Sequence, residues 1–273
     1  YNLGLLEFDR AHYAEAEHAY RQAIAAEPAV EAWQHSLLCL LNYAPGHDRR
    51  DVFEAHRAWA RRFAEPRHAH AGRARPRDAE RLRVGYVSAD LRGHSVAFFI
   101  GPVLEHHDRS RFEIYCYDNW PNPDDTTARL RGYVDQWQPV HALDDDALER
   151  RIRDDRIDLL VDLSGHTLGH RLPVFARKPA PVQATWIGYP QTTGLATIDY
   201  RITDAYLDPP GETDVFDSER LWRLPECAVC FLPPESAPRS GAPPSAALGS
   251  VTFRSINHYF KVTDAVVAVW SRV

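Results

Sequence analysis

Residues 82–101, LRVGYVSADLRGHSVAFFIG, restrict the fold of this chain more than any other stretch. An apolar strand breaks into a polar turn carrying Asp90, Gly93 and His94, then resumes as the start of an apolar helix. Strand followed at once by helix is the repeating unit of a parallel α/β sheet, and such sheets handle ligands at the carboxyl ends of their strands. The turn therefore puts an acid and an imidazole where small-molecule chemistry is normally done.

The same cadence continues downstream. Apolar strands are predicted at 82–88, 112–117, 137–140, 157–163, 182–187 and 200–203, with helices at 97–106, 125–134, 145–154 and 171–176 between them. This predicts an α/β fold: a Rossmann-like lobe with a mostly parallel sheet and helices outside. The segment IDLLVDL is almost continuously apolar, as a central strand covered on both faces should be, and Asp144 or Asp145 can cap the helix that precedes it. Upstream, Ala14, Ala16, Ala19, Tyr20, Ala23 and Ile24 recur at helical spacing before Pro28; Trp33, Leu37, Leu38 and Leu41 mark a second helix, and 51–63 a third. The expected division is a helical region at 1–63, a polar linker at 64–81, the α/β lobe at 82–234, a Pro/Ser/Ala-rich connector at 235–249, and at 250–273 a strand, loop and helix that open a second lobe.

Composition excludes several classes. A formal charge of -6 gives no broad cationic footprint for nucleic acid. No apolar run reaches the roughly 18 residues of a membrane span. Four cysteines in 273 residues do not make a disulfide framework, so a reducing cytoplasm is expected, and the Cys227/Cys230 pair lacks the two further ligands a structural zinc would need. The chain holds no methionine and stops directly after an apolar segment, so it is expected to be part of a longer protein.

The first helices resemble a tetratricopeptide unit. Leu3, Gly4, Tyr13, Ala16, Tyr20, Ala23 and Pro28 fall at that repeat's offsets, with Ala11 where its central turn often has glycine. The stretches RVGYVSADLRGHSVAFF, FEIYCYD, RIRDDRIDLLVDLSGHTLGHRLPVFARKPAPVQATWIGYPQTTG, IDYRITDAYLDPPG and VTFRSINHYFKVTDAVVAVWSRV together resemble the bacterial branch of the O-linked N-acetylglucosamine transferase and SPINDLY family. The resemblance implies helical repeats followed by a two-lobed glycosyltransferase of the GT-B type, here with its second lobe truncated. It implies an inverting transfer of N-acetylglucosamine from UDP-GlcNAc to Ser or Thr of a protein acceptor held along the repeats. It implies no cofactor and no metal, and the 273-residue chain by itself is expected to be inactive.

By that resemblance, His94 matches the family's active-site histidine, and Asp90 the acid of the same turn, placed either to orient His94 or to cap backbone amides. His35, in QHSLLCLLNY, corresponds to a histidine that relatives contribute to the cleft, although the alignment can equally select Gln34. Gly188, Pro190, Thr192, Thr193 and Gly194 of WIGYPQTTG match the sugar-side loop: glycine for close approach, hydroxyls for sugar or phosphate. Thr167 belongs to a loop beside the cleft, with His166 lining an acceptor path, and Lys261 lies near the opening of the second lobe. The chain departs from the family's pattern at Ser95 (proline is usual), Gln191 and Arg254 (glycine) and His258 (asparagine). Two other readings stand beside the first: a protein O-fucosyltransferase using GDP-fucose, and a non-catalytic peptide-binding scaffold.

Overall fold

A computed structural model describes residues 1–64, 81–233 and 240–272. Most of the linker and the start of the connector expected from sequence lie outside these residues. In chain order the elements are α1 (Asn2–Asp9), α2 (Tyr13–Ala26), α3 (Glu31–Leu41), α4 (Arg49–Trp59), β1 (Leu82–Ser88), α5 (Ser95–His106), β2 (Phe112–Asp118), α6 (Asp125–Arg131), β3 (Gln136–Pro139), α7 (Asp145–Asp154), β4 (Leu159–Asp162), α8 (Leu172–Phe175), β5 (Val182–Thr185), β6 (Tyr200–Asp204), β7 (Arg220–Leu224), α9 (Ser245–Leu248) and α10 (Asp264–Trp270). They form two compact units, Tyr1–Gly46 with Pro233–Val273, and His47–Leu232.

In the first unit, α1 and α2 pair because Gly4 leaves room for Tyr20. A Cβ at Gly4 would stand 2.6 Å from the Tyr20 ring, and Ala16 and Tyr20 are fully buried. Ala11, in the intervening turn, takes φ +60°, a conformation glycine adopts without cost and alanine does not. The strand expected near residue 250 is not formed. Val251, Phe253 and Ile256 are exposed and pair with no strand among the described residues, and a strand exists only through a neighbour that takes up its N–H and C=O groups. A short 3₁₀ turn, Tyr259–Lys261, and α10 follow.

The second unit is built on a seven-stranded sheet in the order β3-β2-β1-β4-β5-β6-β7, parallel at every pairing. Five consecutive residues at the carboxyl ends of β1 and of β2 are buried, consistent with a sheet covered on both faces. Val84, Ile100, Leu104, Ile114, Leu130 and Leu163 form the centre of one core cluster. Ion pairs close the amino ends of the strands: Arg83 to Glu113 at 2.9 Å, and Asp135 to Arg81 at 3.1 Å and Arg109 at 2.7 Å. Asp144 caps α7 by accepting from the Ala147 amide at 2.7 Å. β7 was not expected from sequence. α4, assigned by sequence to the helical region, belongs to this unit and continues as a π-helical turn, Ala60–Ala64.

The order of strands reverses between β1 and β4, since β2 and β3 lie to one side and β5 to β7 to the other. Loops leaving adjacent strands in opposite directions open a crevice at their carboxyl ends. The β1–α5 turn and the β4–α8 turn flank that point.

Candidate active site

The β1–α5 turn is held from several directions. Asp90 is buried and its amide donates to the Ser88 hydroxyl at 2.9 Å. Its carboxylate accepts from Arg92 at 3.4 Å and lies 3.7 Å from Nδ1 of His94. Burial pushes this carboxyl above its ordinary range, partly offset by the Arg92 charge. His94 itself is the N-cap of α5: Nδ1 accepts from the Val96 amide at 3.3 Å. The helix is thus capped by the imidazole and not by Asp90, one of the two roles that sequence left open for the acid. With Nδ1 an acceptor, the neutral ring carries its proton on Nε2, on a side chain 37% exposed.

Asp124 was missed by sequence reasoning. Its Oδ2 accepts from the Gly93 amide at 2.7 Å while its Oδ1 caps α6 through the Thr127 amide at 2.9 Å, and the Thr127 hydroxyl donates to the Leu91 carbonyl at 2.9 Å. The imidazole-bearing turn is therefore pinned to the start of α6.

The β4–α8 turn forms the facing wall. Asp162, fully buried, accepts from the Ser164 and Gly165 amides and from the Thr185 hydroxyl at 2.7–3.1 Å. Asn119, just after β2, ties the two turns together: its amide donates to the Ser88 carbonyl, its side chain donates to the Gly169 carbonyl, and it accepts from Arg171. Gly169 has φ +78°, and a Cβ there would meet that of Ala89 at 2.6 Å. Thr167 is half-buried, with its hydroxyl donating to the Ser164 carbonyl at 2.9 Å. His166 does not line a path: it is buried, its Nε2 donates to the Thr193 carbonyl at 2.8 Å, and its ring packs edge-on against Trp59.

The loop after β5 corrects the expectation for its threonines and shows what its glycines approach. Thr192 and Thr193 offer no free hydroxyl: both are fully buried and both donate to Glu219, Thr192 at 2.5 Å. Gly194, at φ +79°, is required by the close approach of α4, since a Cβ would stand 2.5 Å from the His56 carbonyl oxygen. Gly188 is likewise a packing glycine, because a Cβ would lie 1.9 Å from the Leu163 carbonyl oxygen. Pro190 is exposed on the loop. Just before Gly188, Ile187 adopts φ +66° in a tight turn closed by the Gly188 amide to the Trp186 carbonyl at 2.8 Å. A β-branched residue in that region stores roughly 1–3 kcal/mol of strain, typical of loops shaped for a ligand. A cavity of about 390 Å³ beside it is lined by Trp186, Ile187, Tyr189, Pro190, Arg201 and Asp208.

His35 and Lys261 belong to the first unit. His35, on α3, has Nε2 3.3 Å from Glu31. Lys261 is exposed, with its ammonium 5.8 Å from the centre of the Tyr43 ring.

Residues 34–230 match the model of glycosyl transferase family 41. The chain belongs to that family. It is 40% identical over 248 residues to the probable UDP-N-acetylglucosamine–peptide N-acetylglucosaminyltransferase SPINDLY of Arabidopsis thaliana, covering 89% of this chain and 27% of the relative. It is 32% identical over 230 residues to the same plant's probable transferase SEC, covering 78% and 23%. It also matches the structure of a Thermobaculum terrenum O-GlcNAc transferase mutant, with a TM-score of 0.91 and 35% identity over 100% of this chain and 52% of that one. The chain thus spans about a quarter of the length of the plant relatives. Among the described residues, no helix is long and apolar enough to cross a membrane. Of the four departures from the family 41 pattern, Ser95 occupies the first position of α5, where the helix starts without help from proline because His94 caps it. Arg254 and His258 are exposed and Gln191 is half-buried.

Proposed function

We propose that this chain supplies the helical repeats and the amino-terminal lobe of a cytoplasmic enzyme that transfers N-acetylglucosamine from UDP-GlcNAc to Ser or Thr of proteins, inverting the anomeric carbon. The observation that carries the reading is the imidazole-bearing turn at the β1/β4 switch point, in a chain that matches an O-GlcNAc transferase structure along its whole length. The acceptor hydroxyl forms a bond to the anomeric carbon as the bond to the diphosphate oxygen breaks; the hydroxyl proton passes to solvent water and the nucleoside diphosphate leaves with the electron pair. A group near that centre has to orient oxygen atoms and stabilise developing charge. The neutral His94 ring fits this as a donor, since Nδ1 is engaged by the Val96 amide and Nε2 holds the proton. Asp90 lies 3.7 Å from the capping nitrogen, on the side of the ring away from Nε2. An acceptor peptide runs along the helical repeats.

The test is a transfer assay on the complete gene product, with UDP-GlcNAc and GDP-fucose each offered against a Ser/Thr peptide array. The expected result is labelled N-acetylglucosamine on peptide. Fucose transfer reassigns the donor, and no transfer from either leaves the scaffold reading in its place.

A further inference from the structure

We propose that His56 is a positioning residue for the crevice, fixing the loop after β5 through the hydroxyl of Tyr189. The proposal rests on the transferase reading above. His56 lies on α4 and is wholly buried. Its Nδ1 is 2.6 Å from the Val52 carbonyl oxygen, an atom that can only accept, so Nδ1 carries the proton. Neutral imidazole then has a lone pair on Nε2. The Tyr189 hydroxyl lies 2.9 Å from that nitrogen and donates to it. Both ring nitrogens are satisfied with the ring uncharged, as burial favours.

The Tyr189 ring is the hinge of two loops. A Cβ on Gly165 (φ +54°) would stand 2.2 Å from that of Tyr189, so the β4–α8 turn fits closely beneath it. The rings of His56 and His166 lie 5.6 and 5.4 Å from it. His166 in turn holds the Thr193 carbonyl of the loop after β5. Both turns are thereby tied to α4 through one aromatic cluster, and the strained Ile187 stands two residues before Tyr189. Freeing the phenol end of Tyr189 lets the Ile187 turn relax, and that wall of the crevice moves.

Two measurements test this. In ¹⁵N-histidine spectra of the 273-residue chain at neutral pH, His56 is expected as the Nδ1–H tautomer; an Nε2–H or a charged ring overturns the proposal. In the complete gene product, Tyr189→Phe and His56→Leu are each expected to lower kcat/KM about tenfold, chiefly through the donor KM, at unchanged folded fraction. Their double variant should lose no more than either alone, because both remove one shared bond. His56→Gln, which keeps an acceptor in reach, should recover to within about threefold of the parent. Additive losses, or Tyr189→Phe indistinguishable from an active parent, overturn the proposal. A parent that transfers no sugar refutes the transferase reading itself, and the nitrogen spectrum still decides the tautomer.

Discussion

Thr192→Val separates a structural role from a ligand role at the loop after β5. Valine keeps the shape of threonine, so no cavity opens and the change is confined to hydrogen bonding. The hydroxyl of Thr192 donates to Glu219 at 2.5 Å and accepts from the Gly194 amide at 3.0 Å and the Ser218 amide at 3.1 Å. Its loss removes one charge-assisted bond, worth about 1.5–3 kcal/mol, and orphans two amides at about 1–3 kcal/mol each. Partial relaxation brings the sum to about 4 kcal/mol, a large share of the roughly 5–15 kcal/mol that holds a domain together. The matching fall in melting temperature is roughly 10 °C. Urea titration and thermal melts of the 273-residue chain read this directly. A variant that melts within about 2 °C of the parent while the complete gene product binds donor less tightly would show that the threonines serve the ligand after all.

Ala11→Gly is expected to stabilise the first unit by about 0.5–1 kcal/mol in the same melts, because glycine accepts φ +60° freely; an unchanged melt argues against that turn. Gly188→Ala is expected to abolish a cooperative unfolding transition, since the new methyl meets a backbone carbonyl that no rotamer can move; a transition at the parental temperature contradicts the packing described. Asp217, its side chain 4% exposed beside Arg201, is lifted from 3.8 to about 6 by burial, outweighing the guanidinium, with Glu219 and Asp208 adding negative charge. Folding therefore takes up a proton, and the associated stability, present below pH ~4, is lost as pH rises through ~6. The parent's stability measured against Asp217→Asn should fall by about 2.4 kcal/mol between pH 4 and 7, and a flat difference would refute the assignment.

The strands that carry the crevice were legible because each is an apolar run bounded by turn residues. Residues 82–88 and 145–154 were placed to the residue, while IDLLVDL pairs over only its four central positions. β7, RLWRL, was not: at the edge of the sheet Arg220 and Arg223 interrupt its apolar residues and Trp222 stays 55% exposed, so no continuous apolar signal marks it. His94 stood out because a strand-to-helix turn isolates it. His56 did not, since a histidine on an amphipathic helix reads the same whether it faces solvent or a tyrosine 133 residues away. Thr192 and Thr193 were misread for a similar reason. Nothing local announces that Glu219, 27 residues after Thr192, takes both hydroxyls. Gly188 and Gly194 signalled close approach correctly, but sequence cannot say whether a ligand or the protein's own backbone is what approaches.

Steady-state kinetics of the complete gene product carrying His94→Ala, beside thermal melts of the same sample, bear most directly on the crevice at the β1/β4 switch point. A melting temperature within a few degrees of the parent, with kcat lowered about a hundredfold or more, is the expected outcome. Turnover within twofold of the parent on a folded variant would place the chemistry elsewhere.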